Sequence, residues 1–217
     1  MRIFVTGVAC VGKTIIGARL AALLGYQFFD LDIEIERFFG APIPRLRQRW
    51  LTQYSFRVQA AKALKHVLSR KGSRDCVIAL PPSGLMDAYW RVVKTTKAAI
   101  VVLQDKPENI LKRITFYDDD SHLIHMTLTD REKRYYLRDI KADSTHFGRT
   151  YRRANLNVDI TGLGPEEAAQ KVKDMLTGSQ LVELAGQPEK QVQRTRIKPL
   201  ASHAERQRRY AYLQHAS

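Results

Sequence analysis

The sequence has no apolar run approaching the about 18 consecutive residues of a membrane-spanning helix. Its first residues enter a β-branched stretch without the charged and then apolar segments of a secretory leader. A cytoplasmic protein with no membrane partner is the expectation. Cysteine is scarce: Cys10 and Cys76 are the only two in 217 residues, too few for a disulfide framework or a zinc site. That sets aside the small secreted scaffolds and suits a reducing compartment. Internal repeats and low-complexity tracts are lacking too, so neither a solenoid nor a fibrous assembly competes. Acidic charge is in short supply, with 22 Asp and Glu against 36 Lys and Arg, a formal net charge of +14. Such an excess points to polyanions, whether nucleotides, nucleic acid or a lipid surface. Its distribution narrows the choice. Residues 131–153 hold eight basic side chains against three acidic, inside the region with folded patterning, and residues 180–217 hold seven against three, in what reads as a tail.

What the chain does have is Gly7-Val8-Ala9-Cys10-Val11-Gly12-Lys13-Thr14, which matches G-x-x-x-x-G-K-[ST] at every fixed position. The required context is present. Arg2 to Thr6 is a short β-branched and aromatic run, and Lys13 opens an apolar-periodic helix. The two glycines let the backbone curl until successive N–H groups and the helix N-terminus face a polyphosphate. Lys13 is then expected at the β- and γ-phosphates and Thr14 on Mg²⁺. Nucleotide binding, with ATP and Mg²⁺, follows. Cys10 occupies a variable position of the loop and reads as an incidental small residue.

Further along, Gly25 caps the first helix, and Tyr26 to Asp30 reads as a second strand ending in Asp30-Leu31-Asp32. Strand alternation puts the two carboxylates on one side, at the sheet edge where ligands bind. Helices are expected over Ile33 to Phe39, around Leu46 to Trp50, and from Gln53 to Ser69. A buried strand, Asp75 to Leu80, is closed by Pro81-Pro82-Ser83-Gly84, since neither proline can donate to a ladder. A helix over Leu85 to Thr95, a strand over Ala98 to Leu103 and a helix from Pro107 to Ile114 come next. Residues 117–125 look polar and irregular. The charged stretch from Thr129 to about His146 reads as an exposed helical flap, mostly a solvated face. A strand over Leu156 to Ile160 and a helix from Gly164-Pro165 to about Leu176 complete the pattern. Strands alternating with helices imply an α/β, P-loop kinase-like three-layer fold: a parallel sheet of about five strands, helices on both faces and a helical lid. The kinase domain is expected over residues 1–177, with the lid at about 117–150. Residues 178–217 are expected to be a basic extension, partly disordered, with one surface helix near Ala204 to Leu213.

Over about residues 1–177 the chain resembles the shikimate kinase family. Asp30-Leu31-Asp32-Ile33-Glu34-Ile35-Glu36 fits that family's D-x-D-x-x-I-E, and Gly40 and Ile43 continue its spacing. The resemblance implies that Asp30 helps hold the metal's water shell and that Asp32 binds the acceptor hydroxyl and takes its proton. It implies that Arg57, in Phe56-Arg57, grips an acceptor carboxylate. It also implies that Arg113 stacks on adenine, with Pro165 packing nearby. Three departures fall on the acceptor side. The family's triple-glycine loop is Pro81-Pro82-Ser83-Gly84 here, leaving Ser83 and Gly84 as candidate contacts. The glutamate that orients the acceptor-binding arginine is Ala60, and the second carboxylate-binding arginine falls on Phe147, leaving Arg149 as a displaced candidate.

The reading is an ATP-dependent kinase, expected as a monomer, that phosphorylates a hydroxyl of a small acidic metabolite, shikimate first. Lys13 and Asp32 carry catalysis. Two alternatives stay open: a nucleotide-binding regulatory or nucleic-acid-associated protein that has lost the acceptor site, and a kinase for another acceptor such as a sugar acid or nucleotide.

Overall fold

Runs such as Ile3-Phe4-Val5, Val77-Ile78 and Val101-Val102 are apolar on both faces, the pattern of strands covered by helices above and below. The computed structural model describes residues 1–179, and the expected surface helix near residues 204–213 lies outside the described residues. Strand β1 (Arg2–Thr6) leads through the glycine loop into α1 (Lys13–Leu24), and β2 (Gln27–Asp30) runs directly into α2 (Leu31–Phe39). Helices α3 (Ile43–Arg49) and α4 (Gln53–Ser69) follow, then β3 (Cys76–Ala79), α5 (Asp87–Val93), β4 (Ala98–Gln104) and α6 (Pro107–Leu111). A short hairpin, β5 (Phe116–Tyr117) with β6 (Leu123–Ile124), precedes α7 (Asp130–Tyr151), β7 (Leu156–Asp159) and α8 (Pro165–Gly178). No helix among the described residues is long and apolar enough to cross a membrane.

Five strands pair in parallel in the order β2-β3-β1-β4-β7. Thr6 stands beside Val102, Asp30 beside Ala79 and Gln104 beside Asp159, so the carboxyl ends of the strands open on one edge. The strand order reverses at β1, and the crevice there is where an open α/β sheet takes its ligands. The glycine loop, Asp30 and the Pro81–Gly84 turn all leave the sheet at this edge.

Local signals explain the element bounds. The Thr52 hydroxyl accepts from the Ser55 N–H and starts α4. The same box, Thr129 with Glu132, starts α7. Three expectations need correction. Residues 117–125 are not irregular throughout: Phe116 and Tyr117 pair with Ile124 and Leu123 around a turn closed by the Asp118 N–H to the His122 carbonyl. Nor does the helical flap stop at His146. It runs to Tyr151, and Tyr136, Phe147 and Tyr151 are buried on a face that the surrounding charge conceals in the sequence. The helix after the proline turn also starts later than expected, at Asp87. The Gly84 N–H donates to the Pro81 carbonyl and the Met86 N–H to that of Ser83, which holds residues 81–86 in consecutive turns.

Gly84 is required there for space. A Cβ at this position would stand 2.5 Å from the Leu80 Cβ and 3.0 Å from the Pro81 carbonyl oxygen. Gly84→Ala is therefore expected to lower stability by about 1–3 kcal/mol through overpacking. Urea unfolding reads this as a lower midpoint at unchanged slope, and an unmoved midpoint would show that the turn can yield.

Candidate active site

The loop between β1 and α1 is shaped by close approach. Gly7, at φ +148°, lies so near β4 that a Cβ would sit 2.6 Å from the Leu103 carbonyl oxygen. Gly12, at φ +107°, turns the chain into α1 without a side-chain cap, so the helix N-terminus is left to other partners. The Lys13 ammonium folds back over the loop and donates to the Val8 carbonyl at 2.9 Å. Burial holds this ammonium below its ordinary pKa, with Asp32, Cys10 and Asp30 acting in the opposite direction. A polyanion at the loop would relieve that penalty. The Thr14 hydroxyl donates to Asp30 Oδ2 at 2.6 Å. This places one hydroxyl and one carboxylate side by side, hard oxygen donors of the kind Mg²⁺ takes alongside phosphate oxygens and water.

Asp30 and Asp32 do meet, but not by strand alternation. The strand ends at Asp30, which caps α2 by accepting the Asp32 N–H at 3.0 Å, and Asp32 stands in the first turn of that helix. The expectation of one strand face is corrected: it is the cap that turns both carboxylates toward the loop. Asp32 is exposed at the cleft. Partial desolvation by the surrounding protein and the neighbouring Asp30 push the Asp32 pKa up, while Arg47 and then Lys13 pull it down.

On the acceptor side, Arg57 is bound by a partner that the sequence conceals. Its Nε donates to Asp87 Oδ2 at 2.8 Å, and its Nη2 lies 2.7 Å from the same oxygen. Asp87 thus orients the guanidinium where Ala60 offers no carboxylate. Ser83 is half-buried, and the Gly84 N–H is already committed to Pro81. The proline turn is fastened from three sides. Thr6 Oγ1 donates to the Pro81 carbonyl, the Tyr151 hydroxyl to that of Pro82 at 3.2 Å, and Arg153 to that of Leu85. Phe147 is buried and stacks on Tyr151, while Arg149 is exposed and is not among the cations acting on Asp32. Arg47, Tyr89 and Asp87 were not anticipated from sequence. The three arginines of α3 look alike in one dimension, and only Arg47 combines a buried Nε with a position over the Phe56 ring, 5.2 Å from its centroid.

The other end of the crevice is built around Asp105, just past β4. This buried carboxylate pairs with the Arg113 guanidinium and accepts from Asn109 Nδ2 at 2.8 Å and Thr161 Oγ1 at 3.2 Å. Arg113 also donates to the Val11 carbonyl at 3.3 Å. One acid thereby ties together Arg113, the glycine loop and the turn leading to Pro165, the first residue of α8. A cavity of about 540 Å³ lies between Val8, the end of β4 and α7. Over the crevice, the tip of the hairpin reaches α2 and α3: Ser121 Oγ donates to Glu36 Oε1 at 2.7 Å, and Arg45 pairs with Asp120 at 2.5 Å. Most of the charge on α7 faces solvent, as its pattern implies.

Comparison with known proteins bears on the family and the fold. The family model described as shikimate kinase matches residues 9–177. A shikimate kinase of Caldanaerobacter subterraneus subsp. tengcongensis is 27% identical over 176 residues, covering 78% of this chain and 92% of the relative. One from Thermus thermophilus is 29% identical over 171 residues, covering 79% and 87%. Among solved structures, a shikimate kinase from Acinetobacter baumannii in complex with shikimate superposes with a TM-score of 0.64 at 26% identity, covering 83% of this chain and 94% of that one.

Proposed function

Since the chain belongs to the shikimate kinase family, we propose that it transfers the γ-phosphoryl group of ATP to a hydroxyl of a small acidic metabolite, with shikimate the first candidate. The observation that carries this is the junction of Thr14 and Asp30, two residues before Asp32. It brings the phosphate loop and the acceptor carboxylate to one point, as in-line transfer between two bound molecules requires.

The glycine loop and the N-terminus of α1 present N–H groups to the phosphates, and Lys13 leaves the Val8 carbonyl to pair with the β- and γ-oxygens. Mg²⁺, which Thr14 and Asp30 would hold, supplies charge neutralisation across those phosphates. Asp32 accepts the proton of the acceptor hydroxyl as the oxygen attacks phosphorus. Its raised pKa brings it closer to the pH at which a base works best. Arg113, held by Asp105 against the loop, offers a flat cation to the adenine ring. Arg57 contributes to recognition of the acceptor's acid group.

A coupled assay of ADP release over shikimate, sugar acids, nucleosides and neutral polyols tests the proposal. Turnover confined to hydroxy acids is the expected result, and turnover of none of them would remove it. The committed Gly84 N–H and the prolines beside it favour keeping sugar acids in the panel, because this turn offers fewer backbone donors than a glycine loop. Arg57→Ala is expected to raise KM for the acid about tenfold through loss of a charge-assisted contact. It should also lower stability by about 1–3 kcal/mol, because Asp87 loses its partner. Steady-state kinetics and thermal unfolding of the same preparation separate the two effects, and an unchanged KM would take Arg57 out of the acceptor site.

A further inference from the structure

Two polar groups within the acceptor region lack protein partners. Arg47 Nε and the Tyr89 hydroxyl are both buried with no hydrogen-bond partner among the described residues. Tyr89 is 0% exposed. The two come from different elements, α3 and α5, and converge with α4, whose Phe56 ring lies under the Arg47 guanidinium at 5.2 Å. They also share a neighbour. Asp32 is an electrostatic neighbour of both. The unsatisfied donors therefore lie in the neighbourhood of the carboxylate assigned to the acceptor hydroxyl.

A buried cation with an unpaired N–H is costly, and folded proteins keep few of them without a reason. Here the donors match a missing ligand. Arginine only donates, and burial drives the Tyr89 phenol pKa far up, so its hydroxyl keeps its proton at any working pH. Two neighbouring unpartnered donors suit a group that only accepts, namely a carboxylate. Arg57 is less available for that task, because Asp87 already holds both its Nε and Nη2. The α7 position that could have supplied a second cation is the buried Phe147.

Resting on the reading of the chain as a kinase of a hydroxy acid, we infer that Arg47, assisted by the Tyr89 hydroxyl, is the principal receiver of the acceptor's carboxylate, with Arg57 in support. The acceptor is then a compact hydroxymonocarboxylate, its acid group between α3 and α5 and its reacting hydroxyl at Asp32.

The test compares the unaltered full chain with Arg47→Met, Arg47→Lys and Tyr89→Phe, using the acid it phosphorylates best and the corresponding primary amide. Arg47→Met should raise KM for the acid by about 10- to 100-fold, the scale of a lost charge-assisted contact. It should leave KM for ATP unchanged and KM for the amide nearly so. Arg47→Lys should recover part of the loss and Tyr89→Phe should cost a few-fold. Melting temperature discriminates further. Removing a guanidinium whose buried Nε has no protein partner should leave it level or raise it, whereas an arginine that merely braces α3 against Phe56 would lower it when replaced. If the unaltered protein phosphorylates no acid in the panel, the kinase reading and this inference fall together. If it does, and Arg47→Met leaves KM for the acid unchanged, this inference alone is overturned. The same holds if the acid and amide suffer equally.

Discussion

Lys13→Ala is expected to reduce phosphoryl transfer by at least about 10²–10³-fold, the usual consequence of removing one preorganised charge from a developing anionic transition state. The fold should survive the change. The hydrogen bond of this ammonium goes to Val8 of its own loop, and its charge is held at an energetic cost by burial. An alanine at the first position of α1 also keeps good helix propensity. Thermal unfolding should therefore match the parent protein, and the Mg²⁺-dependent release of ADP should collapse. Nucleotide affinity falls less than turnover, because the backbone N–H groups and Arg113 remain. Full activity in a variant that melts normally would remove the glycine loop from the mechanism.

Asp32→Asn is expected to lower turnover by about 10²–10⁴-fold with a modest change in KM, since the amide keeps the size and a hydrogen bond but cannot take a proton. The pH profile carries the sharper signature. With the Asp32 pKa raised, turnover in the parent should climb as pH rises through that value and level off above it. In the variant that acid limb should vanish. Stability should move the opposite way from activity. An acid whose folded pKa exceeds its unfolded value of about 3.9 costs nothing when protonated in both states, and costs progressively more as pH rises between the two. Above the folded value the cost is complete. The Asn variant escapes it, so its melting temperature should equal or exceed that of the parent at neutral pH, and the gap should close in acid. A variant that melts lower at neutral pH would mean that the charge of Asp32 is stabilising.

The parts of the site that were legible in the sequence are those written contiguously. Gly7 to Thr14 and Asp30-Leu31-Asp32 are each a short contiguous run, so their residues are neighbours in any fold, although the cap that turns Asp32 toward the loop was not legible, and Thr52 marks the start of α4 by its own capping chemistry. Contacts made across the fold left no such trace. Arg57 and Asp87 are thirty residues apart and meet only because α4 packs on α5. Arg47 shares α3 with Arg45 and Arg49, and no periodicity in seven residues tells which arginine turns inward. Tyr89 reads as core, which it is, and its unpaired hydroxyl emerges only once its surroundings are known. The β5–β6 hairpin was hidden for another reason. Two-residue strands in a polar stretch have no alternation to detect.

The fastening of the α7 end to the proline turn has a mechanical corollary. Tyr151 and Arg153 anchor this helix to Pro82 and Leu85, and its buried aromatics seat the rest, so the long helix behaves as a fixed post. The β5–β6 hairpin ahead of it is held more lightly at its tip. Its tip rests on one solvent-exposed ion pair, Arg45 with Asp120, and one hydrogen bond from Ser121 to Glu36. An exposed pair of this sort is worth only about 0–1 kcal/mol and weakens as salt rises. The hold of the hairpin on α2 and α3 is thus weak while that of α7 on the proline turn is firm, so rising salt should loosen the hairpin well before it loosens the helix.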